Sequence, residues 1–387
     1  MKFLLKLVDL ILRVLLTRIV AFQFIMLPYL VPILIFSFFA LFTSRNSFSN
    51  KYVFYITFFC LVFFIGLRNE IGTDWNLVYT NFLGFQSAFE SSGELVGVTS
   101  EPLYTLISFL SNTFNCSIYG VNVICSLIFF AGLFRFISTL KRPWLALVLA
   151  YPYYILVASI NFNRQSAAIG IVLLAFVELV NNKKFIFILF TLLASAIHLS
   201  ALITLPLILS SDSIFSKRYL AKTLFFLLSF SLIFSLSGYF SLKYNSLLVN
   251  FFESGIVFTS QGLWLRIGPL LASFALILTF SKRLNISSYI KSVYIISGVL
   301  VSALAVIASV NDSFSTISDR LSAYFLPLLL YGITIIPEIS DQFKLRANLA
   351  TFLICLYSLA LTFSWLAFSY YAENYWIPYK NILFTNL

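Results

Sequence analysis

The chain has 387 residues, of which 60% are apolar and only 10% charged, with a mean hydropathy of +0.97. An average soluble domain is about a quarter charged, and the surface of a soluble chain of this size could not hide so much Phe and Leu. Forty-five Phe and 21 Tyr beside 14 Gly and 10 Pro also exclude disorder and fibrous repeats. A lipid-embedded barrel needs short alternating segments, whereas the apolar runs here are long and continuous. The composition therefore specifies an all-α, polytopic integral membrane protein. The net charge of +11 falls between the apolar runs and not in a basic patch, so it reads as topological sorting of Lys and Arg; no nucleic-acid partner is expected. Four cysteines without a C-x-x-C pair and a single His leave too few ligands for a structural zinc or redox site.

In chain order, residues 1–23 place Lys2, Lys6, Asp9, Arg13 and Thr17 at steps of three or four. That is one polar stripe on an apolar helix, the pattern of an amphipathic segment lying in the interface. Residues 24–387 form a single polytopic membrane domain. A span needs about 20 mostly apolar residues, and the candidates are 24–43, 52–67, 118–138, 143–160, 165–181, 221–237, 263–281, 292–310, 320–337 and 348–370. Residues 102–114 are short and amphipathic, suited to an interfacial or re-entrant piece. Residues 185–209 are apolar but broken by His198 and Ser200. Counting the ambiguous pieces, about 10–12 membrane helices are expected.

Charge sorting orients the chain. Loops 44–51, 139–142, 182–184, 210–222, 282–291 and 338–347, with Arg135 and Glu178 at the span edges, carry 15 Lys or Arg and 4 acids. Segments 68–101, 161–164, 238–266, 311–320 and the tail carry 6 and 9. The first set belongs in the cytoplasm. Lys183 and Lys184 before residues 185–209, and Lys217, Arg218 and Lys222 after them, both demand that side. The stretch is therefore expected to turn back as a re-entrant hairpin with His198 near its apex, pointing outward; the alternative is one ordinary crossing, which would move three cations outside. The longest outer segments are about 68–117 and 238–262.

Ionisable groups at membrane edges are costly and so are functional candidates. In RNEIGTDW, Arg68 and Glu70 emerge together, Gly72 permits a tight turn and Asp74 precedes a helix. This is either a helix stop with a capped restart, or an anion-binding Arg beside an Asp that accepts a proton or orients a hydroxyl. In INFNRQSAAIG, Arg164 and Gln165 sit at the tip of a short outer loop. An Arg opposes the dipole at a helix N-terminus, so it serves either lipid headgroups or a bound phosphate. In ASAIHLSA, His198 and Ser200 either bridge helices or attend a leaving group. In SDRLSAYF, Arg320 follows Asp319, with Tyr324 one turn later and placed to share a face with Arg320; the bland alternative is a surface Asp–Arg pair. These groups meet on the outer face and suit a membrane-bound anion carrying sugar. No set of closely spaced acids suggests a metal and no Gly-rich loop suggests a nucleotide, so no cofactor is expected.

Taken together the motifs resemble the EpsG-like branch of the Wzy-type O-antigen and exopolysaccharide polymerases. The family pattern R-x-x-x-G-T-D-(aromatic)-x-x-Y is matched by Arg68, Gly72, Thr73, Asp74, Trp75 and Tyr79. Its R-Q-x-x-A is matched by Arg164, Gln165 and Ala168, and its A-S-x-x-H-x-S-A by Ala194, Ser195, His198, Ser200 and Ala201. Arg320 with Tyr324, and Pro378 to Asn381 in the tail, complete the series. Ala196-Ile197 stands where an aromatic usually precedes the His, and Trp75 where Tyr is commoner. The resemblance implies a GT-C-like architecture in the bacterial inner membrane. It also implies metal-independent transfer of a glycan from undecaprenyl diphosphate to a lipid-linked repeat unit on the periplasmic side. Asp74, Arg164, His198 and Arg320 would be catalytic, and Arg68, Glu70, Glu101, Gln165, Ser200 and Tyr324 would contact substrate, with Glu70 or Glu101 as reserve bases. A chain-length regulator and a flippase of the same pathway would be partners. The competing readings are a flippase of lipid-linked oligosaccharide, which should carry charge through the midplane and show repeated halves, and an O-antigen ligase.

Overall fold

A computed structural model describes residues 25–43, 51–92, 101–211, 259–310, 312–342 and 346–384 of the chain. These residues are helical, with no strand among them. The amphipathic N-terminal segment, the expected span 221–237 and most of the outer segment 238–262 lie outside the described residues. The helices are α1 (Ile25–Phe42), α2 (Lys51–Gly66), α3 (Trp75–Ser92), α4 (Pro102–Thr113), α5 (Ser117–Ile137), α6 (Pro143–Asn161), α7 (Asn163–Val180) and α8 (Lys184–Ile197). They continue after the 3₁₀ arm Leu199–Leu209 as α9 (Leu263–Phe280), α10 (Ser288–Val310), α11 (Ser315–Asp341), α12 (Ala347–Phe368) and α13 (Tyr370–Tyr375). Among the described residues, eight helices, α1, α5, α6, α7 and α9 to α12, are long and apolar enough to cross a membrane. They agree with the spans read from the sequence to within a few residues at either end. The expected interfacial piece at 102–114 is α4, a short helix packed on α5 and α8.

A helix apolar all round is stable only in lipid or in a core. Here α6, α7 and α11 form the centre, whereas α1, α9 and α12 are peripheral and keep most of their surface outside the protein. The tightest crossing is that of α5 with α7, where a Cβ on Gly132 would fall on the Gly170 carbonyl. Small residues at a crossing let membrane helices approach backbone to backbone. Within α6, Pro152 lacks the N–H that an α-turn needs. The helix accommodates it in a wide π-helical stretch over Tyr151–Ala158. Phe162 then breaks the helix, with φ −112° and ψ 64°, and α7 restarts at once. That near-absent loop fixes Asn161, Asn163, Arg164 and Gln165 at one rim of the bundle.

The expected hairpin is present. His198 is extended, with φ −153° and ψ 112°, and ends α8; the 3₁₀ arm then folds back along α8. Lys184 Nζ at the start donates to the Ser210 carbonyl at the end, at 2.6 Å, so both ends lie at one face and His198 at the apex. Short polar contacts lie at the described ends of several basic loops. Lys141 pairs with Glu338 at 2.8 Å and Lys183 with Glu178 at 3.0 Å, while Ser211 N bonds Ser292 Oγ at 2.9 Å.

The chain end is a strap across the opposite face. Asn69 N donates to the Lys380 carbonyl and Ile382 N to that of Leu67, at 3.0 and 2.9 Å. Tyr379 stacks on Phe64 with ring centroids 4.5 Å apart. Trp376 is buried and donates from Nε1 to the Leu156 carbonyl of α6 at 3.2 Å, while its own carbonyl accepts from Tyr29 Oη of α1 at 2.5 Å.

Candidate active site

At the strapped face a small cleft of about 60 Å³ is lined by Asp74, Leu77, Val78, Asn81, Tyr104, Asn161, Phe162, Asn163, Arg164, Gln165, His198 and Arg320. Five separate stretches of sequence meet there: the loop before α3 with its first turns, α4 through Tyr104, the α6–α7 break, the hairpin apex and the first turns of α11. Asp74, Arg164, His198 and Arg320 all line it, as does Gln165.

Asp74 is fixed by its backbone. Gly72 holds φ +106°, a conformation that favours glycine. Its N–H donates to the Tyr375 carbonyl at 2.9 Å. Asn161 Oδ1 then accepts from Thr73 Oγ1 at 2.8 Å and from Asp74 N at 3.1 Å. The Asp74 carboxylate accepts a long bond from Thr73, 3.3 Å. Among the described residues it does not cap α3, contrary to the capped-restart reading, so it is left facing the cleft. Burial pushes its carboxyl above the usual carboxylate range, against the opposing pull of Arg320, the Thr73 hydroxyl and Arg164.

Arg164 stands in the first turn of α7. Its Nη1 donates to Glu101 Oε2 at 2.8 Å, and its guanidinium carbon lies 5.5 Å from the Tyr104 ring centre. Glu101 is buried at 1% exposure, and its second oxygen meets His198 Nδ1 at 3.0 Å. One buried carboxylate thus orients both the cation and the imidazole, and it is too enclosed to meet an acceptor as a base. Arg320 lies over the Phe162 ring, 4.5 Å from its centre, and its backbone carbonyl accepts from Gln165 Nε2 at 2.5 Å. Among the described residues no carboxylate pairs with it. The cleft therefore presents one partly neutralised and one unpaired guanidinium beside a carboxylate.

The other residues named from the sequence lie elsewhere. Arg68 is 2% exposed and does not line the cleft. Its guanidinium donates to the Ile65 carbonyl at 2.7 Å, the Ile160 carbonyl at 2.5 Å and Asn163 Oδ1 at 2.6 Å. Burial lowers it to about 10, still charged at neutral pH. The expectation of an anion-binding Arg68 is thus corrected: this cation is spent on protein carbonyls and clamps α2 to the α6–α7 break. Glu70 is on the surface, paired with Lys380 at 2.8 Å, and not in the cleft. Tyr324 does not share the cleft face with Arg320. It is fully buried and bonds Ser200 at 2.9 Å, tying the hairpin to α11. Asp319 does not pair with the adjacent Arg320. Both of its oxygens are taken by Arg266, at 2.6 and 2.7 Å. In the sequence Arg266 counts only as a loop charge, although a cation one turn inside an apolar helix is itself a signal.

Among the described residues, eight helices long and apolar enough to cross a membrane, with a cleft lined by two Arg at one rim, define a multi-pass membrane protein. The chain belongs to the EpsG family, whose model matches residues 51–381. Membership carries a polysaccharide-polymerase-like, glycosyltransferase-type role in polysaccharide biosynthesis. Neither a curated protein nor a solved structure matches the chain.

Proposed function

We propose that the protein is an O-antigen or exopolysaccharide polymerase that joins undecaprenyl-diphosphate-linked repeat units on the periplasmic face of the inner membrane. The observation that carries this reading is the meeting of Asp74, Arg164, His198 and Arg320 at one cleft in a chain of the EpsG family. The anomeric C–O bond to diphosphate breaks while an acceptor hydroxyl of the next lipid-linked unit forms the new glycosidic bond, with inversion. Negative charge grows on the departing diphosphate, and preorganised cations lower that barrier; Arg164 and Arg320 take this role. The acceptor proton passes to Asp74, whose raised pKa makes it a better base near neutral pH than an ordinary Asp. His198, held by Glu101, contacts the leaving oxygen. These residues supply cationic charge themselves, so the reaction is taken as metal-independent. A chain-length regulator and the pathway's flippase are the partners this role calls for.

The test is the surface polysaccharide of a host lacking the gene, complemented with wild type or Arg164→Ala. The expected phenotype is acceptor carrying a single repeat unit with no ladder, restored by wild type and not by Arg164→Ala at equal membrane abundance. Acceptor with no repeat at all would favour a flippase or ligase, and an unchanged ladder would end the assignment.

A further inference from the structure

An amide removed from bulk water needs hydrogen-bond partners, and the amides lining the cleft differ in how far they have them. Asn163 is spent at both ends: its Oδ1 accepts from Arg68 and its Nδ2 donates to Asn122. Asn161 accepts from the Thr73 hydroxyl and the Asp74 backbone. Gln165 donates to the Arg320 carbonyl. Asn81 is half-buried in the same wall and makes no hydrogen bond among the described residues. Its amide is free to meet a ligand at both of its polar ends.

The place of Asn81 is dictated by α3. Val78 N donates to the Asp74 carbonyl at 2.9 Å, so the helical register begins at Asp74. Asp74, Leu77, Val78 and Asn81 then fall at i, i+3, i+4 and i+7, one stripe of the helix. These four are the residues of that stretch that line the cleft. Phe82 and Phe85 on the neighbouring face are buried and fix the rotation that presents the stripe. Asn81 lies two turns beyond Asp74, about 10 Å along the axis, too far to touch the group whose proton Asp74 takes. Between them Leu77 and Val78 make an apolar patch. A wall that is apolar in the middle and polar at both ends complements a sugar, which carries C–H groups on its faces and hydroxyls at its rim. In the polymerase reading Arg164 and Arg320, which stand on other elements, hold the departing diphosphate, and the α3 wall is left to the acceptor.

We propose that Asn81 is a specificity-determining residue, whose amide pairs with a hydroxyl of the acceptor sugar remote from the hydroxyl that reacts. A neutral amide supplies both a donor and an acceptor, which matches a hydroxyl and gives no charge to hold an acidic group. The inference rests on the polymerase reading for the acceptor, and on the α3 stripe for the contact.

The test is a two-substrate assay with the full chain in lipid nanodiscs. Lipid-linked oligomer from the wild-type host serves as donor, and single lipid-linked repeat units, accumulated in a host lacking the gene, are titrated as acceptor. Asn81→Leu keeps the size of the side chain and a good helix former, and it breaks no bond among the described residues, so the melting temperature should stay unchanged. The KM for the single unit is expected to rise about tenfold, the worth of one lost hydrogen bond. The KM for the oligomer should not move, and kcat should stay within about twofold, the signature of lost uniform binding. Asn81→Asp should recover most of the loss, because a sugar hydroxyl donates to a carboxylate as well as to an amide carbonyl. A shift confined to the oligomer KM, a fall in kcat with both KM values intact, or wild-type kinetics in both variants would overturn the proposal. The two readings separate cleanly: a wild-type chain that extends nothing ends the polymerase reading, whereas a wild-type chain that polymerises and an Asn81→Leu variant that matches it end only the role of Asn81.

Discussion

Arg68 and Arg164 look alike in the sequence: each stands at one end of an apolar run, among Asn, Gln or Glu. The fold gives them opposite fates. Arg68 is enclosed, and its two terminal nitrogens donate to two backbone carbonyls and Asn163. Arg164 keeps about a third of its side chain exposed at a cleft shared with Arg320. The first arginine builds the platform. Its partner Asn163 in turn bonds Asn122 of α5, and the same break carries Asn161, which fixes the Asp74 backbone. A buried cation surrounded by carbonyls is a structural clamp; a cation with an open side is available to a ligand.

That contrast is open to attack by substitution. The largest effect is expected at Asp74. Asp74→Asn removes the proton acceptor while keeping shape, and the polymerisation rate should fall about 10²–10⁴-fold with unchanged abundance in the membrane. Arg164→Ala and Arg320→Ala should each cost about 10²–10³-fold, the usual worth of one preorganised charge contact, again without loss of protein. Arg68→Ala should behave differently. It strands buried acceptors and cuts the tie between α2 and α7, so a loss of roughly 3 kcal/mol of stability is expected, read as a lower melting temperature in detergent and reduced membrane abundance. Activity per folded molecule should fall far less than for Arg164→Ala. If Arg68→Ala leaves melting untouched and abolishes turnover, the division between clamp and cleft is wrong. Glu101→Gln lies between the two classes. It keeps the size of a buried group that holds Arg164 and His198, and about a tenfold loss of rate is expected, roughly 1.4 kcal/mol.

Much of the frame was legible in the sequence, because bilayer thickness dictates span length. The hairpin followed from basic residues on both sides of 185–209, and Lys184 bonding Ser210 closes it as that argument required. The cleft was legible as a set of polar islands, since a charge at a membrane edge needs a reason to be there. What could not be read was which island faces which. Arg68 and Arg164 separate only once Ile65 and Ile160 offer their carbonyls to one and not the other, a matter of tertiary approach. The Arg266–Asp319 pair spans 53 residues, so no local spacing pointed to it. Tyr324 sits on the expected helix but turns to Ser200, because Ala323–Phe325 is a 3₁₀ turn that breaks the α-helical spacing from Arg320.

The smallest predicted effect sharpens the comparison from the stability side. Burial raises the Asp74 carboxyl above its ordinary range, so folding favours the neutral form and the ionised form at neutral pH is held at a cost. A raised carboxyl pKa contributes stability at low pH that is lost as pH rises through the folded value. Two consequences run in opposite directions. Turnover should collapse on acidification at a pH above the ~3.9 of a free Asp, because the base form disappears. Melting temperature should show the reverse: Asp74→Asn, neutral at every pH, should melt slightly above wild type at neutral pH, and the gap should close as pH falls. A cleft residue that stabilises when neutralised, set against an Arg68 that destabilises when removed, would mark the cleft as built for a ligand and the clamp for the fold. If Asp74→Asn instead melts well below wild type at neutral pH, Asp74 is a structural anchor like Arg68, and the proton would have to be taken by another group.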